Sequence, residues 1–166
     1  MANPIIKITV QGMGTITAEL YPEKAPITVA NFLTLARNNF FEGLIFHRVI
    51  SGFMIQGGGY TPDFTQKNAK AIVGEFAANG CRLNDISHKR GVLSMARTSN
   101  PNSASSQFFI MHADGGFLDG QYAAFGAVTE GIEIVDKIAA VQTGRLGYFD
   151  DVPTTPIVIE SITVVE

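Results

Sequence analysis

One cysteine in 166 residues leaves this chain no internal disulfide to fold around. A lone thiol is most simply housed in a reducing compartment, and Cys81 has no Cys-x-x-Cys partner or helix start to make it reactive. Charge is scarce as well, at 16% of residues, with twelve basic against fifteen acidic side chains and a formal net charge of -3. No run of Lys or Arg forms a stripe that could follow a phosphate backbone, so nucleic acid is not an expected partner. No apolar stretch reaches membrane-spanning length, and the start Met1-Ala2-Asn3-Pro4-Ile5-Ile6-Lys7 lacks a charged segment followed by an apolar one. The expectation is a cytoplasmic chain, neither exported nor inserted in a membrane.

Familiar catalytic signatures are missing too. There is no Gly-x-x-x-x-Gly-Lys-[Ser/Thr] loop, and Gly57-Gly58-Gly59 reads as a tight bend rather than a phosphate cradle. His47, His88 and His112 are far apart, and none has a second ligand at helical or hairpin spacing, so no metal is expected. No Gly-x-Ser-x-Gly elbow occurs, which leaves covalent hydrolysis only a triad assembled from distant positions.

What is present is apolar pattern: 46% of residues are hydrophobic, enough for a 166-residue chain to form one domain with a sizeable core. Ile6, Ile8 and Val10 recur at period two, Gly12-Met13-Gly14 breaks the run, and Ile16, Ala18 and Leu20 resume it, which reads as a hairpin. From Pro26 the period lengthens: Val29, Phe32, Leu33 and Ala36 share one helical face, with Pro26 tolerated in the first turn. Strand candidates follow at 44–50, 53–56, 91–96, 107–112, 123–128 and 157–165, making eight in all. A second amphipathic helix fits Ile132–Ala139, with Ile134, Val135 and Ile138 inward. Many short strands and few helices favour a mainly β fold, a closed or nearly closed antiparallel barrel. The long segments 57–70, 98–106 and 142–156 read as loops, either binding elements or surface insertions.

Two segments carry chemistry. In Phe46-His47-Arg48-Val49-Ile50-Ser51-Gly52-Phe53-Met54-Ile55-Gln56-Gly57-Gly58, one permanent cation and one amide stand among large apolar side chains. Alone, Arg48 would read as a solvent-face or snorkelling residue. In the second, Gly91-Val92-Leu93-Ser94-Met95-Ala96-Arg97 leads on to Ser105-Ser106-Gln107-Phe108-Phe109-Ile110. Alternation puts Gln107 with Phe109 on one face and Phe108 with Ile110 on the other, and likewise Met54 with Gln56. Phe53 can line the same pocket as Met54 only if the backbone near Gly52 is irregular.

These runs, with Phe117-Leu118-Asp119-Gly120 and Phe125-Gly126, make the chain resemble the cyclophilins over essentially its whole length. Thr143-Gly144-Arg145 and Asp151-Val152-Pro153 resemble the short cytosolic bacterial branch. The resemblance implies one domain over residues 1–166, a closed eight-stranded antiparallel β-barrel capped by two α-helices. It further implies a peptidyl-prolyl cis-trans isomerase that assists folding, with no cofactor, or alternatively a non-catalytic module that binds proline peptides. Carried over by residue, it makes Arg48 the catalytic arginine. It sets Phe53, Met54, Phe109 and Leu118 around the substrate proline ring, and Gln56, Ala96 and Gln107 against the peptide. Arg97, Phe117 and Tyr122 stand where Asn, Trp and His are common in the better-known eukaryotic members. Expected partners are proline-containing peptides and unfolded or folding proteins, with cyclosporin a weak inhibitor and the chain a monomer. A catalytic Arg implies a rate nearly flat between about pH 6 and 8, because Arg does not titrate there.

Overall fold

The computed structural model describes residues 3–165. Along the chain run β1 (Ile5–Val10), β2 (Gly14–Leu20), α1 (Pro26–Arg37), β3 (Arg48–Ile50), β4 (Met54–Gly57), β5 (Val92–Met95) and β6 (Phe108–Met111). They are followed by β7 (Ala124–Glu130), α2 (Ile132–Ala139), β8 (Thr143–Leu146), β9 (Phe149–Pro153) and β10 (Ile159–Val165). The first hairpin and both helices lie where periodicity puts them, and the buried residues of α1 include Val29, Phe32, Leu33 and Ala36.

Eight strands form one antiparallel sheet in the order β10-β1-β2-β7-β5-β6-β4-β3. It curls into a barrel that is not fully closed: β10 and β3 are its two ends, and they do not pair along their lengths. Residues 44–46, ahead of β3, and 157–159, leading into β10, cross the seam instead, through an isolated bridge between Ile45 and Val158 and hydrogen bonds from Phe46 N to Ile157 O and Ile159 N to Leu44 O. The expected strand 44–50 is therefore split, its first part facing the seam and its last three residues entering the sheet as β3. The expected loop 142–156 is also corrected, since it contains the separate hairpin β8–β9.

The interior is a cluster of phenylalanines. Phe32, Phe41, Phe46, Phe108 and Phe125 are all essentially inaccessible, with Phe32 centroids 5.0 to 5.4 Å from Phe41, Phe125 and Phe108. Helix α1 lies against β10 and α2 against β2. The start of α1 is tied by Glu75, whose Oε1 accepts from Thr28 N at 2.6 Å and from Thr28 Oγ1 at 2.8 Å. A carboxylate there satisfies helix-start N–H groups that have no partner within the helix, and it anchors the long connection between β4 and β5. Cys81 is a partly buried free thiol.

Candidate active site

Strand register builds the site. Arg48 on β3 is paired across to Gln56 on β4, Gln56 to Phe109 on β6, and Phe109 to Ser94 on β5. Four strands thus place Arg48, Gln56, Phe109 and Ser94 in one transverse row, and side chains directly opposite share a face. Arg48 Nη1 donates to Gln56 Oε1 at 3.3 Å, and Gln56 Nε2 donates to Gln107 Oε1 at 3.1 Å. This chain orients the guanidinium and leaves most of its donors free to meet a ligand. The Gly57-Gly58-Gly59 run makes room for it. Gly58 has φ +92°, and a Cβ on Gly59 would overlap the Gln107 side chain, so both positions require glycine.

The next row along the same face is apolar. Met54 pairs with Ile50 and Met111, and Met54, Phe109 and Leu118 belong to one buried cluster against which Phe53, Ala96 and Tyr122 pack. Phe53 joins Met54 because the chain turns before β4: Gly52 adopts φ +80° and Phe53 N bonds Ile50 O. The irregularity that alternation demands is present. Phe53 also meets Phe117, whose ring centroid is 5.5 Å away and whose side chain is exposed, at 73%.

Two cavities flank the Gln56–Gln107 pair. One, of about 180 Å³, is bordered by Ala96, Arg97, Thr98, Ser103 and Ser105. The other, of about 380 Å³, adjoins Arg48 and is walled by His47, Tyr60, Tyr148, Phe149, Asp150 and Asp151. Sequence reasoning missed the β8–β9 residues of this wall. Few of them are buried, so no apolar alternation marks them. Arg97, expected to contact peptide, has its guanidinium folded back: Nε and Nη2 donate to Gln121 O, and the group lies 4.9 Å from the Phe76 ring and 4.7 Å from the Tyr122 ring. Tyr122 in turn stands edge-on to Phe109 at 5.8 Å.

Behind Phe109 lies an arrangement no motif announced. His88 Nδ1 donates to Asp119 Oδ1 at 3.0 Å while Nε2 accepts from Ser94 Oγ at 2.9 Å. The constellation has the connectivity of a hydrolytic triad, but Ser94 and His88 are 0% and 1% exposed, so no substrate carbonyl can reach the hydroxyl. Its role is structural: the imidazole stacks on Phe109 at 6.1 Å. Burial pushes His88 below its ordinary pKa despite the Asp119 carboxylate. His47, backing Arg48, is pushed to about 4 by burial and then by the Arg48 charge, and its Nδ1 has no partner among the described residues. No group of three or more metal-ligating side chains occurs among the described residues, and no helix among them is long and apolar enough to cross a membrane.

Residues 5–164 match the family model for cyclophilin type peptidyl-prolyl cis-trans isomerase/CLD. A peptidyl-prolyl cis-trans isomerase of Acinetobacter baylyi is 45% identical, over 99% of this chain and 87% of that protein. Peptidyl-prolyl cis-trans isomerase B of Escherichia coli is also 45% identical, over 92% of this chain and 95% of its own length. Among solved structures, a cyclophilin type peptidyl-prolyl cis-trans isomerase of Cryptosporidium parvum superposes with a TM-score of 0.85 at 27% identity, covering 99% of this chain and 98% of that one. In the presence of the dipeptide Ala-Pro, that protein gives a TM-score of 0.83 at 28% identity, with 98% and 99% covered.

Proposed function

The chain belongs to the cyclophilin-type peptidyl-prolyl cis-trans isomerase family and is a peptidyl-prolyl cis-trans isomerase, and we propose that Arg48 is the residue that lowers its rotational barrier. The observation that carries this assignment is the row Arg48–Gln56–Phe109, which sets an oriented cation beside an apolar pocket on one face of the sheet.

An X-Pro amide resists rotation because its C–N bond has partial double-bond character, with a barrier of roughly 18 to 20 kcal/mol. As the bond twists, the nitrogen loses resonance with the carbonyl and regains a localised lone pair. A donor aimed at that lone pair binds the twisted state better than either planar one, which is what acceleration requires. Arg48 suits the task because it stays charged and its planar fork is held by Gln56. Phe53, Met54, Phe109 and Leu118 take the proline ring. Gln56, Gln107, Ala96 and the backbone of Arg97 hold the flanking peptide, so that rotation is confined to one bond. No nucleophile, metal or cofactor takes part in this scheme.

Residues 1–166 work in this proposal as one domain, a monomer in the cytoplasm, where the lone Cys81 stays reduced. Its substrates are proline-containing segments of unfolded or folding proteins. Cyclosporin binds weakly, since Phe117 has no ring N–H to offer the macrocycle.

The test is exchange of a proline peptide by Arg48→Ala. The rate should fall about 10²- to 10³-fold, the range for removing one oriented donor, while the thermal midpoint stays near that of the parent, because the side chain lies outside the core. Parental turnover by a folded alanine variant would remove Arg48 from the mechanism. A parent chain that binds the peptide without speeding its exchange would be a binding module instead.

A further inference from the structure

His112 closes β6 and holds the turn that presents Phe53. Its backbone N donates to Phe53 O at 2.9 Å, and its ring Nδ1 lies 2.8 Å from Gly52 N. A main-chain N–H can only donate, so Nδ1 must carry a lone pair; the proton of the neutral ring therefore sits on Nε2, which is 3.1 Å from Asp136 Oδ1 on α2. The tautomer is fixed from both ends. Gly52, held at φ +80°, is the residue that lets Phe53 fall beside Met54.

We propose that His112 is a positioning residue whose neutral imidazole fixes the Gly52–Phe53 turn, and with it one wall of the proline pocket, so that peptide turnover falls when this ring is protonated. The proposal rests on the pocket assignment given above. A second proton would go to Nδ1 and set one N–H against another, removing the only side-chain acceptor seen for Gly52 N among the described residues. The Nε2 contact to Asp136 would survive. The loss is therefore confined to the side of the ring that faces the substrate pocket.

The charges around the ring are few. Asp136 faces Nε2 from α2. Arg90, just ahead of β5, donates to both Asp136 oxygens at 2.7 and 2.8 Å and to His112 O at 3.0 Å. Asp114, just after His112, accepts from Arg90 N. Ser51 and Gly52 bring no charge. Asp136 is held below the ordinary carboxylate range, first by its hydrogen bond from Arg90 and also by His112, so it stays an ionised acceptor for Nε2 whether the ring is neutral or protonated. Of the other histidines, His47 is held near 4, and His88, lowered by burial, is present unchanged in His112→Asn, so that variant separates any contribution of His88 from that of His112. A scheme that rests on the arginine alone gives the flat profile expected from the sequence, so an acid fall is the mark of His112.

The experiment measures kcat/KM for a proline peptide from about pH 8 to about pH 5.5, the window in which histidine changes charge, together with the amide NMR shift of Gly52. His112→Asn is the diagnostic variant, since an Asn carbonyl can stand where Nδ1 stands and accepts at every pH. The parent should lose about two- to tenfold on acidification, the worth of one neutral hydrogen bond, with KM changing more than kcat, and the Gly52 amide should titrate in step. His112→Asn should be flat and close to the parent at high pH, and His112→Ala should be low throughout. A flat parent profile, an acid fall retained in His112→Asn, or a Gly52 amide that does not move would each overturn the proposal. Absence of parental turnover at every pH would instead sink the isomerase mechanism, while the Gly52 amide would still report whether His112 holds the turn.

Discussion

Phe108 and Phe109 are neighbours on one strand and serve opposite purposes. Phe108 points into the barrel, with its ring 5.4 to 6.0 Å from those of Phe32, Phe41 and Phe46. Phe109 points to the other face, among Met54, Met111 and Leu118. Their exposures, 0% and 5%, hardly differ, so burial does not separate the core from the site. Their polar neighbours do. Phe108 is bordered in register by Gly57 and Met95, whereas Phe109 is bordered by Gln56 and Ser94, with Arg48 one strand further on. Charged and amide groups are costly against an apolar surface unless they are paired, so a row of them beside a buried ring marks a face kept for a ligand.

The largest expected effect tests that division directly. Phe108→Ala should cost about 3 to 5 kcal/mol of stability, as for other buried aromatic truncations, read as a drop in the urea midpoint. Phe109→Ala should cost less stability, because its cluster is smaller and lies at the edge of the pocket, but it should lose most turnover through KM. Equal stability losses with equal residual activities would erase the distinction between the two faces.

A smaller effect concerns the buried imidazole behind Arg48. The pKa of His47 in the folded chain is about 4, below the ordinary value of 6.5, so the unfolded chain binds the extra proton first as pH falls. Its contribution is fully present above about pH 6.5 and is lost as pH falls towards 4. From pH 7 to pH 5 this amounts to about 2 kcal/mol. Denaturation midpoints at the two pH values should show this loss in the parent over and above the one that His47→Gln retains, since His88, also lowered by burial, contributes to both; equal losses in the two proteins would take the effect away from His47.

The smallest effect probes the rim, where this chain differs from better-known relatives. Phe117→Trp should tighten cyclosporin by about two- to tenfold, one neutral hydrogen bond, and leave peptide turnover nearly unchanged. Titration calorimetry giving equal affinities would shift attention to Arg97 and Tyr122.

Much of this was readable from residue order, and the exceptions share a cause. Period two at Ile6, Ile8 and Val10, and the helical spacing of Val29, Phe32, Leu33 and Ala36, declare their elements because each packs one face on the core. The β8–β9 hairpin escaped because most of its residues are exposed and carry no such alternation. The open seam escaped because residues 44–46 pair with a segment more than a hundred residues away. Strand alternation anticipated that Phe109 and Phe108 would part and that Gly52 would have to bend the chain. It could not register Arg48 against Gln56 and Phe109.

Local sequence, then, determined the elements and the kinds of side chain available, since propensity and periodicity act over a few residues. The tertiary structure alone decided which of them meet. It buried a Ser94–His88–Asp119 constellation beyond any substrate, folded Arg97 back on Phe76 and Tyr122, and brought His112 to a turn sixty residues earlier. Those contacts depend on long-range register and on burial, quantities set by the packing of the whole sheet and by no single segment of the chain.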